Sequence, residues 1–164
     1  MDSEKKSIFG YKTVDFHAHA FADKIAEKAA ENLEVYYKMP LVAKGHFSTL
    51  LERAKNANID KLVIHSTATK AAQVESANNY AISLINENPD MLIGFGTIHP
   101  DYEDYKNELV RIKELGLRGI KLHADFQEFN LDTKKMFPIY EQIVNLDLPI
   151  LFHMGDRKYN RTSP

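Results

Sequence analysis

The chain alternates brief apolar strand patterns with amphipathic helical ones, and this order leaves few folds open. Segments 13–17, 61–65, 91–98, 118–123 and 149–153 are short, rich in Val, Ile, Leu or Phe, and bounded by Gly, Pro or polar residues. Such runs read as buried strands. Helical periodicity lies between them. Segment 22–33 carries Lys24, Glu27, Lys28 and Glu31 along one side. Thr49 and Glu52 have capping-box spacing and predict a helix to about residue 58. Segment 71–86 places Val74, Ala77, Ala81, Ile82 and Ile85 at helical spacing before Asn88-Pro89-Asp90. Tyr105, Leu109 and Ile112 share a face before Gly116, and Pro138 suits the first turn of a helix ending near residue 145.

Alternation of this kind implies a parallel sheet covered by helices. After the first, strands begin roughly 30 residues apart, as βα units do. The first connection is longer, with 36–47 inserted; Tyr36, Tyr37 and Met39 read either as a lid over a site or as ordinary helix packing. Two architectures compete: a doubly wound open sheet, complete with five strands, and a (β/α)8 barrel of the TIM type, of which only about the first five strands are present.

The histidines favour the barrel. Six of seven, His17, His19, His65, His99, His123 and His153, fall at or just beyond the C-terminal end of a predicted strand; His46 lies elsewhere. That end of a parallel sheet or barrel is where sites are built. In Asp15-Phe16-His17-Ala18-His19, alternation puts His17 and His19 on one face with Asp15 below them and Phe16 toward the helices. Two imidazoles so spaced can share a metal; the plainer reading is a polar layer over a core. His153, after Ile150-Leu151-Phe152, is a candidate third ligand or a satisfied core histidine. Lys121 and His123 also share a face. A lysine inside a sheet is costly unless paired or modified. It reads as a substrate-carboxylate contact, a carbamylated metal bridge, or the partner of a buried carboxylate. Asp125 and Gln127 read as turn caps before substrate contacts, and His99-Pro100 as a turn.

The 164 residues carry 44% hydrophobic and 27% charged side chains and a net charge of −2, which suits one globular domain over 1–164 and favours neither nucleic acid nor membrane as partner. With no cysteine, thiolate zinc sites and disulfides are excluded, so a metal would rest on imidazole and carboxylate. The N-terminus is not patterned as a secretory signal, no apolar run suits a membrane span, and a cytoplasmic location is the default expectation.

Asp15-Phe-His17-Ala-His19 resembles the opening metal motif of the amidohydrolase superfamily. The stretches Gly119-Ile-Lys-Leu-His-Ala-Asp-Phe-Gln127 and Pro149-Ile-Leu-Phe-His-Met-Gly155 resemble its branch containing aminocarboxymuconate semialdehyde decarboxylase and related hydrolases. The resemblance implies a metal-dependent hydrolase barrel of which this chain is the N-terminal two-thirds. His17, His19 and His153 would be ligands of one divalent metal, zinc first, with manganese or iron as alternatives. Lys121 or His123 would hold a small-molecule substrate. The family's later aspartate and strand-six histidine have no match here, and about 90 residues at about 30 per unit would complete the barrel, on the same chain or on another; a homo-oligomer is a separate expectation. The implied chemistry is attack of a metal-activated water on a C–N or C–O bond; decarboxylation is equally allowed. A TatD-type phosphoesterase or nuclease also opens with HxH, but needs an acidic ligand near strand four, where Lys121 and His123 stand. A non-catalytic truncated barrel, acting as a binding or assembly module, is the remaining expectation.

Overall fold

A computed structural model describes residues 11–154. The strands are β1 (Val14–His19), β2 (Lys61–His65), β3 (Leu92–Gly94), β4 (Gly96–Thr97), β5 (Ile120–His123) and β6 (Ile150–His153). The helices are α1 (Asp23–Tyr37), α2 (Phe47–Asn56), α3 (Val74–Glu87), α4 (Tyr105–Glu114), α5 (Ala124–Gln127) and α6 (Phe137–Asn145). Strands order as β1-β2-β3 in one sheet and β4-β5-β6 in another, and the β4–β5 and β5–β6 pairings are parallel. This is the α/β alternation of the (β/α)8 class. Among the described residues no helix is long and apolar enough to cross a membrane.

Contacts divide the chain into two compact units, one running to Ile64 and including Asp90–Leu92, the other His65–Pro89 with the chain from Ile93 onward. The first buries the small side chains of Ala18, Ala20, Ala26, Ala30 and Ala54, and also Leu62, Val63 and Ile64 of β2. On β1, Phe16 is 54% exposed, where the sequence suggests a ring covered by helices; β1 is an edge strand of its sheet.

The second unit holds the larger core. Ile120 and Leu122 of β5 pack with Leu109 and Ile112 of α4 and Ile139 and Ile143 of α6. Alternation therefore turns Lys121 and His123 to the opposite face. Gly119 lets Phe95 close on the start of β5: a Cβ there would lie 2.5 Å from the ring.

Boundaries differ from the sequence expectation in particular places. The predicted strand 91–98 is two strands interrupted at Phe95. α1 runs on through Tyr36 and Tyr37, which pack edge to face at 4.9 Å, so these residues form its last turn and not a separate loop. α2 starts at Phe47 with His46 as N-cap and no side-chain cap bond, so the Thr49–Glu52 spacing does not act as a capping box. His46 instead forms a parallel bridge with Phe21.

Candidate metal and substrate site

His17 and His19 come together on β1. Their Nε2 atoms are 3.2 Å apart and their rings tilted by 50°. Asp15, on the same face, has its Oδ1 accept the His17 backbone N–H at 3.0 Å. His19 stacks on Phe21 at 6.4 Å. Phe21 in turn donates its N–H to the Gly45 carbonyl at 3.2 Å. Gly45 has φ +77°, and a Cβ on it would fall 2.6 Å from the Phe21 ring, so only glycine both adopts that backbone and lets the ring sit there. Two imidazole nitrogens on one tetrahedral zinc lie about 3.4 Å apart, from bonds of about 2.0–2.1 Å. The 3.2 Å spacing fits a shared cation.

The second unit carries the other candidates. β5 and β6 pair in register, Lys121 beside Leu151 and His123 beside His153, and Thr97 of β4 is the partner of Lys121 on the other side. Parallel neighbours lie about 4.8 Å apart, which lets rings on paired residues stack: His123 and His153 are 4.0 Å apart with planes within 8°. His123 also stacks on Phe126 at 3.8 Å.

Lys121 is fully buried, and its Nζ has no hydrogen-bond partner among the described residues. The buried carboxylate partner entertained from sequence is absent among them. Burial pushes its pKa down from the ordinary lysine value.

Other polar residues support the strand ends. Gln127, 3% exposed, donates through Nε2 to the carbonyls of Ala68 at 3.0 Å and Ile98 at 2.6 Å. Its Oε1 accepts the His123 N–H at 2.9 Å. One amide thus joins the segments that follow β2, β4 and β5, a role larger than the turn cap read from sequence. His99 accepts the Asp101 N–H on Nδ1 at 3.1 Å, as a turn residue does, and burial lowers its pKa. His65 is buried at the end of β2. His46 faces Asp23 and Glu27 at 3.4 and 3.5 Å on the surface.

Sequence reading missed Asn78. Its side chain takes the place of a strand neighbour for Thr97, accepting that residue's N–H at 2.7 Å and donating to its carbonyl at 3.0 Å. It also donates to Glu108 at 2.7 Å, which Arg111 grips at 2.7 and 2.8 Å. The available signal was an asparagine four residues from both Val74 and Ile82, on the apolar face of the helical pattern; it is wholly buried in the structure, and such an amide needs partners.

Residues 14–164 match the family model described as Amidohydrolase. A stretch of 78 residues, 46% of the chain, is 31% identical to 2-amino-3-carboxymuconate-6-semialdehyde decarboxylase of Dictyostelium discoideum and covers 22% of that protein. Among solved structures, 5-carboxyvanillate decarboxylase of Novosphingobium aromaticivorans, complexed with manganese and 4-hydroxy-3-methoxy-5-nitrobenzoic acid, matches with TM-score 0.72 and 20% identity over 93% of this chain and 53% of that one. 4-Oxalomesaconate hydratase of Rhodopseudomonas palustris matches with TM-score 0.60 and 20% identity over 87% and 52%. The chain spans about half the length of these structures. The structural likenesses establish the shared fold, and the family match over nearly the whole sequence adds membership: the chain belongs to the amidohydrolase family.

Proposed function

We propose that the protein carrying this sequence is a metal-dependent enzyme that decarboxylates a small unsaturated carboxylic acid. The observation that carries the reading is Lys121: a buried amine with no partner among the described residues, one strand position pair below the stacked His123 and His153. An anionic substrate would supply the missing partner. The partial identity to a decarboxylase supports the bond chosen. His17, His19 and His153 would hold a divalent metal, zinc or manganese; nitrogen donors suit either. When bound, such an ion polarises a substrate oxygen and draws electron density from the bond being broken. Lys121 and His123 contact and orient the substrate, and the ring of His123, fixed by stacking, limits how a planar acid lies.

Hydrolysis of a C–N or C–O bond is the second reading, favoured by the family match. The two separate in one assay. The metal-loaded, full-length protein is offered aromatic and unsaturated acids, 2,6-dihydroxybenzoate among them, and in parallel lactones and amides. CO2 release without lactone or amide opening is the expected result. Ring opening or amide cleavage without CO2 would overturn decarboxylation in favour of hydrolysis.

A further inference from the structure

One hydroxyl beyond the end of β2 stands apart from its neighbours. Thr67 lies in the segment that follows this strand and is itself only partly buried. Its Oγ1 is nevertheless shielded from solvent and has no hydrogen-bond partner among the described residues. The residues after it are pinned. The Ala68 N–H donates to Thr97 Oγ1 at 3.4 Å, and the Ala68 carbonyl accepts from Gln127 Nε2 at 3.0 Å. Thr69 Oγ1 donates to Gln73 Oε1 at 3.0 Å, and the same Gln73 oxygen accepts the Lys70 N–H at 3.1 Å. A segment held this way is not free to turn and find the hydroxyl a partner, and a shielded hydroxyl is costly to leave unpaired.

The same bonds seat the segment against the face of the sheet that carries Lys121. Thr97 is the register partner of Lys121 on the neighbouring parallel strand, so the two side chains share a face, with their strands about 4.8 Å apart. Thr97 is also the residue that meets Ala68, one position from Thr67. All of these residues belong to the second compact unit. Lys121 Nζ and Thr67 Oγ1 are thus both shielded and both without a partner among the described residues, but they are not equivalent. A lysine ammonium offers donors alone, whereas a hydroxyl donates and accepts. A carboxylate, which only accepts, answers the lysine. A hydroxyl on the same ligand answers the threonine in either direction, and a site built to pair with such a group discriminates against the analogue that lacks it.

We infer that Thr67 is a specificity-determining residue whose hydroxyl hydrogen-bonds a hydroxyl substituent of the unsaturated acid, so that hydroxylated acids are selected over their unsubstituted analogues. The inference rests on the functional reading above for the acid's entry to this face, and adds a second polar contact and the substituent it selects.

The test compares the full-length, metal-loaded protein with Thr67→Val, which keeps the branched shape and removes the hydroxyl, and Thr67→Ser, which keeps the hydroxyl. Calorimetry measures binding of 2,6-dihydroxybenzoate and of benzoate. The two acids share a ring and a carboxylate, so the ratio of their affinities isolates the hydroxyls. Thr67→Val is expected to weaken 2,6-dihydroxybenzoate about tenfold, the weight of one hydrogen bond, and to leave benzoate within about twofold. Thr67→Ser keeps the native ratio. An unchanged ratio in Thr67→Val, or no binding of either acid by the unsubstituted protein, would overturn the inference. Urea unfolding without ligand gives an independent reading. Replacing an unpaired shielded hydroxyl by a methyl group is neutral or stabilising, so the Thr67→Val midpoint is expected to match or exceed the native one. A lower midpoint would show that the hydroxyl already has a partner within the protein, and would also overturn the inference. If the preference for the hydroxylated acid holds while no acid releases CO2, the decarboxylase reading fails and the Thr67 contact stands.

Discussion

A lysine amine with no solvent exposure and no partner among the described residues is either neutral or matched by something arriving from solution. Burial lowers its pKa, and the consequence for stability has a definite sign. Between the folded pKa and the unfolded value of about 10.4, the unfolded chain binds the extra proton, so stability rises with pH across that window. The stabilisation is fully present above the unfolded pKa and is lost as pH falls through the folded one. Lys121→Met removes this group. It is expected to flatten the alkaline limb of a stability–pH curve measured by urea unfolding and to raise stability at neutral pH. A variant that keeps the native slope would show that another group produces it. The oddity of Lys121 was readable in the sequence, since it interrupts an apolar run. What was not readable was the lack of a buried carboxylate beside it, because pairing depends on which side chains other strands bring alongside.

The interrupted strand before α4 shows how elements position these residues. β3 joins the sheet of β1 and β2, and β4 that of β5 and β6. Gly94 and Gly96 flank the break; a Cβ on either would fall 2.6 or 2.8 Å from the ends of the Leu117 or Ile112 side chains, which would have to shift to admit it. The apolar pattern of 91–98 carries no mark of this change of partner, and a single strand is the natural reading. Asn78 completes the pairing that Thr97 lacks. Asn78→Leu would strand the Thr97 N–H and leave Glu108 without one donor, each buried loss costing about 1–3 kcal/mol. Unfolding stability is expected to fall by about 2–6 kcal/mol by the same measure, and a loss below about 0.5 kcal/mol would place this clamp among the neutral surface contacts. The strand-end histidines, by contrast, were readable to within a residue or two, because apolar runs end where polarity begins. The stacking of His123 on His153 was not, since register between strands 30 residues apart in sequence follows from packing and not from either segment alone.

For the whole molecule, the alternation of strands and helices carried the fold class, and the HxH and strand-end patterns carried the family. The reaction is less accessible, because a decarboxylase and a hydratase share this fold at 20% identity each, and chemistry resides in the site and not in the architecture. The central claim is that the β1 histidines hold a divalent metal. Its most direct measurement is the bound-metal content of the full-length protein, purified after growth with added zinc or manganese, beside His17→Ala, His19→Ala and the double variant, each checked for folding by circular dichroism. The account predicts about one equivalent in the unsubstituted protein, as for a single mononuclear site, and a fall to near zero in the folded double variant. Metal content undiminished by removing both imidazoles, whose nitrogens lie 3.2 Å apart, would contradict it.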